Sequence, residues 1–386
     1  MTTRKAPVIG IIGAYGAVGR HAARSLAAEG RYRLRIGGRH TDAARAFATS
    51  LPGRAEAMWV DANNADSLVR FSEGCRTVLN CSGPAYLLVD RVRRAAFEAG
   101  ADYVDVMDDG SASEPVPERT AVLSAGLSPG LSGLLPELLA HGLGSGGTFT
   151  GCYAGVGPLT RAGAVDALLS VDRGYGTPSA VWRGRVVPSA LEIEPRFMVP
   201  GVSRPLTAHP FLTEELVDRA RTLGLREAKW YNAFDGPTLL DTLVRSHGEH
   251  SAGLSLAARA DVLVRSSALD AAGRTPYHVL WGRLDGWNQE GVPVTRAVVI
   301  RGDDAARLTG AVGAFAAAAV TNRQVLRGIH QAAAVLSPQA VVDWLRRRVP
   351  GVTVQQTTVL SPGDAPEAAD PTTSGEGGPE PEAGLQ

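Results

Sequence analysis

The sequence predicts an α/β chain: an N-terminal doubly wound parallel sheet, then a second α+β domain on a largely antiparallel sheet. Three observations predict it. Five mostly β-branched residues, Val8 to Ile12, run into glycines at 13, 16 and 19 and then into an alanine-rich helix reaching about Ala28. Strands and helices alternate from there to Met107, the pattern of a parallel sheet covered on both faces. From Thr148 strands follow one another without obligatory helices, which favours antiparallel pairing.

The first strand, turn and helix have the order of a Rossmann dinucleotide site, although the spacing is GxxGxxG. Gly13 permits the turn, Gly16 lets a pyrophosphate approach the backbone, and Gly19 allows the helix to pack on the strand. Tyr15, Ala17 and Val18 complete the loop, and the helix N-terminus offers free N–H groups and a positive dipole end to the phosphates. Arg4 and Lys5 ahead of an apolar run also fit a signal peptide, but Arg20 follows the third glycine directly and interrupts that reading.

The second strand, Tyr32 to Ile36, ends in Gly37-Gly38-Arg39-His40. An NAD site places an acid near this strand end for the ribose 2′-hydroxyl. No acid lies between Arg31 and Asp42, and Arg39 stands where a 2′-phosphate would be, which points to NADP(H). A third strand, Ala57 to Val60, ends in Asp61-Ala62 and precedes a helix from Ala65 to Ser72. A fourth, Thr77 to Cys81, ends in Ser82-Gly83-Pro84. The helix Leu87 to Ala99 leads to a fifth strand, Tyr103 to Met107, followed by Asp108 and Asp109. Carboxyl ends of parallel strands line one crevice, so Asp61 and the Ser82-Gly83-Pro84 turn are expected to face one ligand.

The runs Asn80-Cys81-Ser82-Gly83-Pro84, Ala95 to Gly100, Tyr103-Val104-Asp105 and Ala125 to Ser132 together resemble the saccharopine dehydrogenase-like NAD(P)-dependent reductases. The resemblance covers about the first third of the chain. It implies two domains with cofactor and substrate meeting in the cleft between them. It also implies that Gly13, Gly16 and Gly19 hold the pyrophosphate, Arg39 the 2′-phosphate side, Asp61 the adenosine and Ser82-Gly83-Pro84 the nicotinamide end. His40, Ala62 and Cys81 flank these positions. One stretch departs from the family: Gly110 to Arg119 is short and contains Pro115 and Pro117, whereas a parallel crossover needs a dozen or more residues. The edge beside Asp108 is therefore expected to be rebuilt.

The domain boundaries follow: residues 1–145 for cofactor, 146–349 for substrate and dimerisation, and 350–386 as an acidic tail. The helix at 303–320 is placed to return to the first domain. Second-domain strands are expected at Thr148 to Val156, Trp182 to Val187, Glu227 to Phe234, Tyr277 to Leu284 and Val294 to Arg301. The stretch Ser361 to Gln386, with six acids among prolines and glycines and no aromatic or basic residue, has the composition of disordered chain. Basic and acidic residues number 39 each, and setting the tail's six acids aside leaves 39 against 33, mildly basic. That balance suits an anionic cofactor and gives no case for nucleic acid. The longest apolar run, between Arg307 and Asn322, falls short of the roughly 20 residues that span a bilayer. Three cysteines without a CxxC pair suit a reducing cytoplasm and argue against structural zinc. The only lysines, Lys5 and Lys229, exclude Tyr-x-x-x-Lys chemistry.

Hydride transfer belongs to the cofactor, so the protein must position an acceptor carbon and manage one proton. Asp108, at a strand's carboxyl end, is the first candidate; Tyr175 and His278 are the others. Arg161 and Arg173 are candidate clamps for a substrate carboxylate, and Lys229 a candidate cation. His247-Gly248-Glu249-His250 lacks the spacing of a zinc motif. Gly126-Leu127-Ser128-Pro129-Gly130 matches GxSxG, but Pro129 has no N–H for an oxyanion hole. The expectation is an NADPH-dependent reductase of a small metabolite, with reduction of an imine C=N bond implied by the resemblance. The alternatives are an enoyl or carbonyl reductase of the same architecture, or a non-catalytic NADP-binding sensor or partner protein. A homodimer through the second domain is expected, with no metal and no membrane partner.

Overall fold

The computed structural model describes residues 6–108, 118–172, 175–246 and 253–360. The first half runs β1 (Val8–Ile12), α1 (Gly19–Ala27), β2 (Arg33–Gly38), α2 (Thr41–Ser50), β3 (Arg54–Trp59), α3 (Ala65–Ser72), β4 (Thr77–Asn80), α4 (Ala85–Glu98), β5 (Asp102–Asp105), β6 (Thr120–Leu123) and α5 (Leu131–Ala140). Alternation of strand and helix gives the parallel order β6-β5-β4-β1-β2-β3. The central strands are buried on both faces, and Ile9, Ile11, Ile36 and Leu79 have no accessible surface, whereas the edge strand β3 leaves Arg54, Glu56 and Trp59 exposed. β6 keeps its parallel pairing with β5 despite the short crossover, whose residues 109–117 lie outside the described chain.

The second half begins with β7 (Thr148–Val156), α6 (Arg161–Asp172), β8 (Gly176–Pro178), β9 (Val181–Trp182), β10 (Val186–Val187), β11 (Glu194–Phe197), β12 (Leu206–Thr213), α7 (Glu214–Thr222), β13 (Glu227–Phe234), α8 (Pro237–Ser246) and α9 (Leu256–Ala271). It closes with β14 (Tyr277–Trp287), β15 (Pro293–Gly302), α10 (Ala305–Thr321), β16 (Gly328–Gln331), α11 (Ala332–Val335), α12 (Pro338–Arg348) and β17 (Thr353–Leu360). The second sheet orders as β10-β9-β13-β7-β14-β15-β17, with β12 joined to β13. Its pairings are antiparallel except β13 with β7. The strand expected over Trp182 to Val187 is instead the tight pair β9 and β10, because Arg183 to Arg185 turn the chain between them.

The chain crosses between the two sheets twice more. The chain after β15 goes back to the first domain: α10 packs between α1 and the first sheet, and β16 adds a parallel seventh strand beside β6. The alanines explain the closeness of that packing. A Cβ on Gly310 would stand 2.5 Å from the Val18 carbonyl oxygen, so only small side chains let α10 approach α1. Burying Leu308, Val312 and Val320 on this helix contributes about 1.5–3 kcal/mol each. The apolar run from Arg307 is thus a core helix, and among the described residues no helix is long and apolar enough to cross a membrane. In the second return, Thr353–Leu360 pairs with β15, so irregular chain does not begin at 350; residues 361–386 lie outside the described chain.

Candidate active site

The turn after β1 is built around backbone that only glycine supplies. Gly13 has φ +72°, in the left-handed region. A Cβ on Gly19 would stand 2.2 Å from the Gly13 carbonyl oxygen, so α1 starts against the turn itself. At Gly16 the Gly13 carbonyl is the one close neighbour, at 3.0 Å. Val18 caps α1 with no side-chain acceptor; the Arg20 N–H turns back to Gly16 O at 3.2 Å and the His21 N–H to Val18 O at 3.1 Å, which leaves the Gly19 N–H of the first turn for an anion. Ala17 lies in this same turn, and Arg20 folds back to donate to Gly16 O at 3.0 Å.

Tyr15 ties this turn to the end of β2. Its ring lies against Gly38, where a Cβ would come within 2.4 Å of it, and its hydroxyl accepts the His40 N–H at 2.9 Å. The Gly37-Gly38 pair is therefore a packing requirement, with Phe71 pressing on Gly37 in the same way. Arg39, next along, is exposed and has no hydrogen bond or ion pair among the described residues. Past the end of β3, Asp61 accepts the Asn63 N–H at 3.0 Å, and the Ala62 carbonyl faces Arg91 at 3.5 Å.

A buried network fixes the end of β4. Asp105, without accessible surface, accepts from Asn80 Nδ2 at 2.8 Å, from Met107 N at 2.9 Å and from the Tyr103 hydroxyl. Asn80 Oδ1 in turn accepts the Ser82 N–H at 3.1 Å and its hydroxyl at 2.5 Å. Burial pushes the Asp105 carboxyl up to about 7. Burial also raises the Cys81 thiol, so this cysteine serves as packing beside the turn. The bond from Gly83 to Pro84 is cis.

Of the proton-donor candidates, the structure brings two together. Asp108, past the end of β5, accepts a hydrogen bond from the Gln331 side-chain amide at the end of β16. The Tyr175 hydroxyl is closed to solvent and has no hydrogen-bond partner among the described residues. Burial raises its pKa well above the usual phenol range, and Glu215, Tyr86, Asp108 and Glu214 raise it further. His278 belongs to another group: Nδ1 lies 2.8 Å from the Tyr153 hydroxyl, and its charged neighbours are Asp304 and Asp303. Burial lowers its pKa.

Glu215 is the group that sequence reasoning missed. It sits in the first turn of α7, where Thr213-Glu214-Glu215 reads only as a helix start. Its carboxylate reaches into the Gly126–Gly130 turn, accepting Gly130 N at 2.8 Å and the Ser132 hydroxyl at 2.9 Å. The GxSxG loop is thus occupied by a carboxylate, and Ser128 meets no histidine among the described residues. Burial lifts Glu215 to about 7 against these bonds and the Arg219 charge. An unfolded Glu titrates near 4.3. The folded state therefore holds a proton between about 4 and 7 that the unfolded chain has lost, and this contribution to stability disappears as pH rises through about 7. Asp105, raised in the same sense, adds to the trend. Gln at 215 can accept from Gly130 and donate to Ser132. Glu215→Gln is expected to shrink the difference in unfolding free energy between pH 5 and pH 8 by about 2 kcal/mol, measured by urea titration.

The remaining candidates lie elsewhere or outside the described chain. Arg161 pairs with Asp261 at 2.9 Å, and Lys229 with Glu227 at 2.7 Å. Asp109, Arg173 and the His247 to His250 stretch are not among the described residues, within which no metal-binding cluster occurs. Surface hollows beside Thr148 and Arg226 lie at the start of β7, about 25 Å along the strand from Val156.

Residues 9–124 match the family described as the saccharopine dehydrogenase NADP binding domain. The match spans the first sheet from β1 to β6. That match assigns NADP(H) as the cofactor. The whole chain superposes on apo saccharopine dehydrogenase (L-Glu forming) from Saccharomyces cerevisiae with a TM-score of 0.62, over 92% of this chain and 100% of that one. At 15% identity this likeness is one of fold. A Rossmann-fold NAD(P)-binding protein from Shigella flexneri (17% identity, 26% of this chain and 50% of that one, TM-score 0.23) and hydroxysteroid dehydrogenase from Escherichia coli (16%, 26% and 54%, 0.23) match a smaller part. No curated protein matches the sequence.

Proposed function

We propose that this chain is an NADPH-dependent reductase of a C=N bond in a small metabolite, yielding a secondary or cyclic amine. In this reading the α1 turn, Gly13 to Gly19, holds the pyrophosphate, Arg39 and His40 the 2′-phosphate, Asp61 and Ala62 the adenosine, and Cys81 to Pro84 the nicotinamide end. The fit rests on the open backbone at Gly16, the uncapped α1 N-terminus and the unpaired Arg39. NADPH supplies a hydride to the acceptor carbon, while the π pair of the C=N bond falls to nitrogen.

The observation that carries the choice of imine is the gathering of carboxyls about Tyr175: its carbonyl accepts the Glu214 N–H at 3.2 Å, Glu215 follows in the same helical turn, and Asp108 adds to the charge that raises the buried hydroxyl's pKa. Reduction of a ketone or enal gathers negative charge on oxygen and asks for cationic or N–H donors. An iminium carries positive charge and is favoured by carboxylates. Asp108, steadied by Gln331, accepts the N–H of the protonated imine, and the Tyr175 hydroxyl bonds the substrate from a second side. His278, on a separate cluster, has no step here.

The test is NADPH oxidation against a panel of cyclic imines, amine plus aldehyde pairs, enals and ketones at saturating cofactor. Turnover of the imine members alone is expected. Turnover confined to enals or ketones selects the alternative reductase, and tight NADPH binding without turnover of any member selects a binding protein.

A further inference from the structure

Helix α4 has no cap of its own. Its N-cap residue is Pro84, which offers no side-chain acceptor, so the N–H groups of the first turn need a partner from elsewhere. That partner comes from the second domain. Asp166 on α6, only 9% exposed, accepts the Tyr86 N–H at 3.3 Å and is bonded by the Ala85 N–H as well. The same helix lies on the turn just before: a Cβ on Gly83 would stand 2.9 Å from the Ala162 Cβ and 3.7 Å from Asp166 Oδ2. The Ser82-Gly83-Pro84 turn is therefore held on one side by Asn80 and seated on the other against α6.

We propose that Asp166 is a positioning residue for the cofactor: by capping α4 across the domain boundary it fixes the Ser82-Gly83-Pro84 turn, so the second domain completes the nicotinamide end of the NADP(H) site. This rests on the assignment of that turn given above. Burial lifts the Asp166 carboxyl to about 6, so seating the carboxylate there has a cost that the two N–H groups and the positive end of the helix dipole must offset. The adenosine half of the site, around Arg39 and Asp61, touches neither Asp166 nor Ala162; its link to α4 is Arg91, beyond the capped first turn.

Titration of the full-length protein with NADPH and with 2′,5′-ADP, which carries only the adenosine and 2′-phosphate half, separates the two ends. In Asp166→Ala, NADPH affinity is expected to fall about tenfold while 2′,5′-ADP affinity stays within twofold. Asp166→Asn, whose Oδ1 can accept the same N–H, is expected to recover NADPH affinity to within threefold. Ala162→Leu, which leaves Asp166 in place and pushes α6 off the turn, is expected to repeat the selective loss and serves if the alanine variant is unstable. NADPH affinity unchanged in both Asp166→Ala and Ala162→Leu overturns the proposal, as does an equal loss of both ligands. Wild-type protein that binds neither ligand overturns the cofactor assignment itself, a different result from either.

Discussion

Asp108→Asn is expected to lower NADPH-dependent turnover by about 10²- to 10⁴-fold, the range for loss of a positioned acid–base group. NADPH affinity should stay within about threefold, because none of the hydrogen bonds that hold the β1 turn involves Asp108. The asparagine keeps the shape of the side chain and can still accept from the Gln331 amide. It loses the charge that would hold a protonated nitrogen. Steady-state kcat with the best imine, beside a fluorescence titration of NADPH, reads both quantities. A kcat within tenfold of wild type removes Asp108 from the chemistry and leaves Tyr175 as the group to test. An equal loss of cofactor affinity would mean that the variant damages the first domain.

Arg39→Ala is expected to weaken NADPH binding by about 10- to 100-fold with NADH binding unchanged, as loss of a charge-assisted contact to a phosphate implies. The side chain leaves the end of β2, where Tyr15 covers Gly38 and holds the His40 N–H, so the neighbouring backbone is fixed without it. Because Arg39 has no partner among the described residues, its removal strands no buried charge and should leave stability unaltered. Calorimetric titration with both nucleotides decides the matter. Wild-type affinities that are equal for NADPH and NADH, and indifferent to the substitution, would assign 2′-phosphate recognition to other residues.

What the sequence made legible was local. The glycines at 13, 16 and 19, the missing acid after β2 and the Asn80 to Pro84 run are each patterns of a few neighbouring residues, and each could be read in place. What it hid was contact over distance. Gln331 reaches Asp108 across 223 positions, Glu215 reaches Gly130 across 85, and Asp166 reaches Tyr86 across 80. Nothing near Glu215 distinguishes it from Glu214, an ordinary acid in a first helical turn. The four residues of β16 are too short for alternation to announce a strand, and β17 follows a helix and a turn that resemble the start of a tail. Tyr175 could be singled out as a tyrosine among glycines, but its isolation from any hydrogen-bond partner is a property of the packed chain.

The return of α10 and β16 to the first domain also governs how this protein can be made. A ribosome that has finished residues 1–145 has produced six strands of the first sheet and none of the helix that covers α1, β4 and β5. That nascent piece shows water an apolar face until well over a hundred further residues have emerged, long enough to invite chaperones or aggregation. The nucleotide loop is synthesised long before α10 and β16, so the domain that carries it is completed only after most of the second domain has emerged.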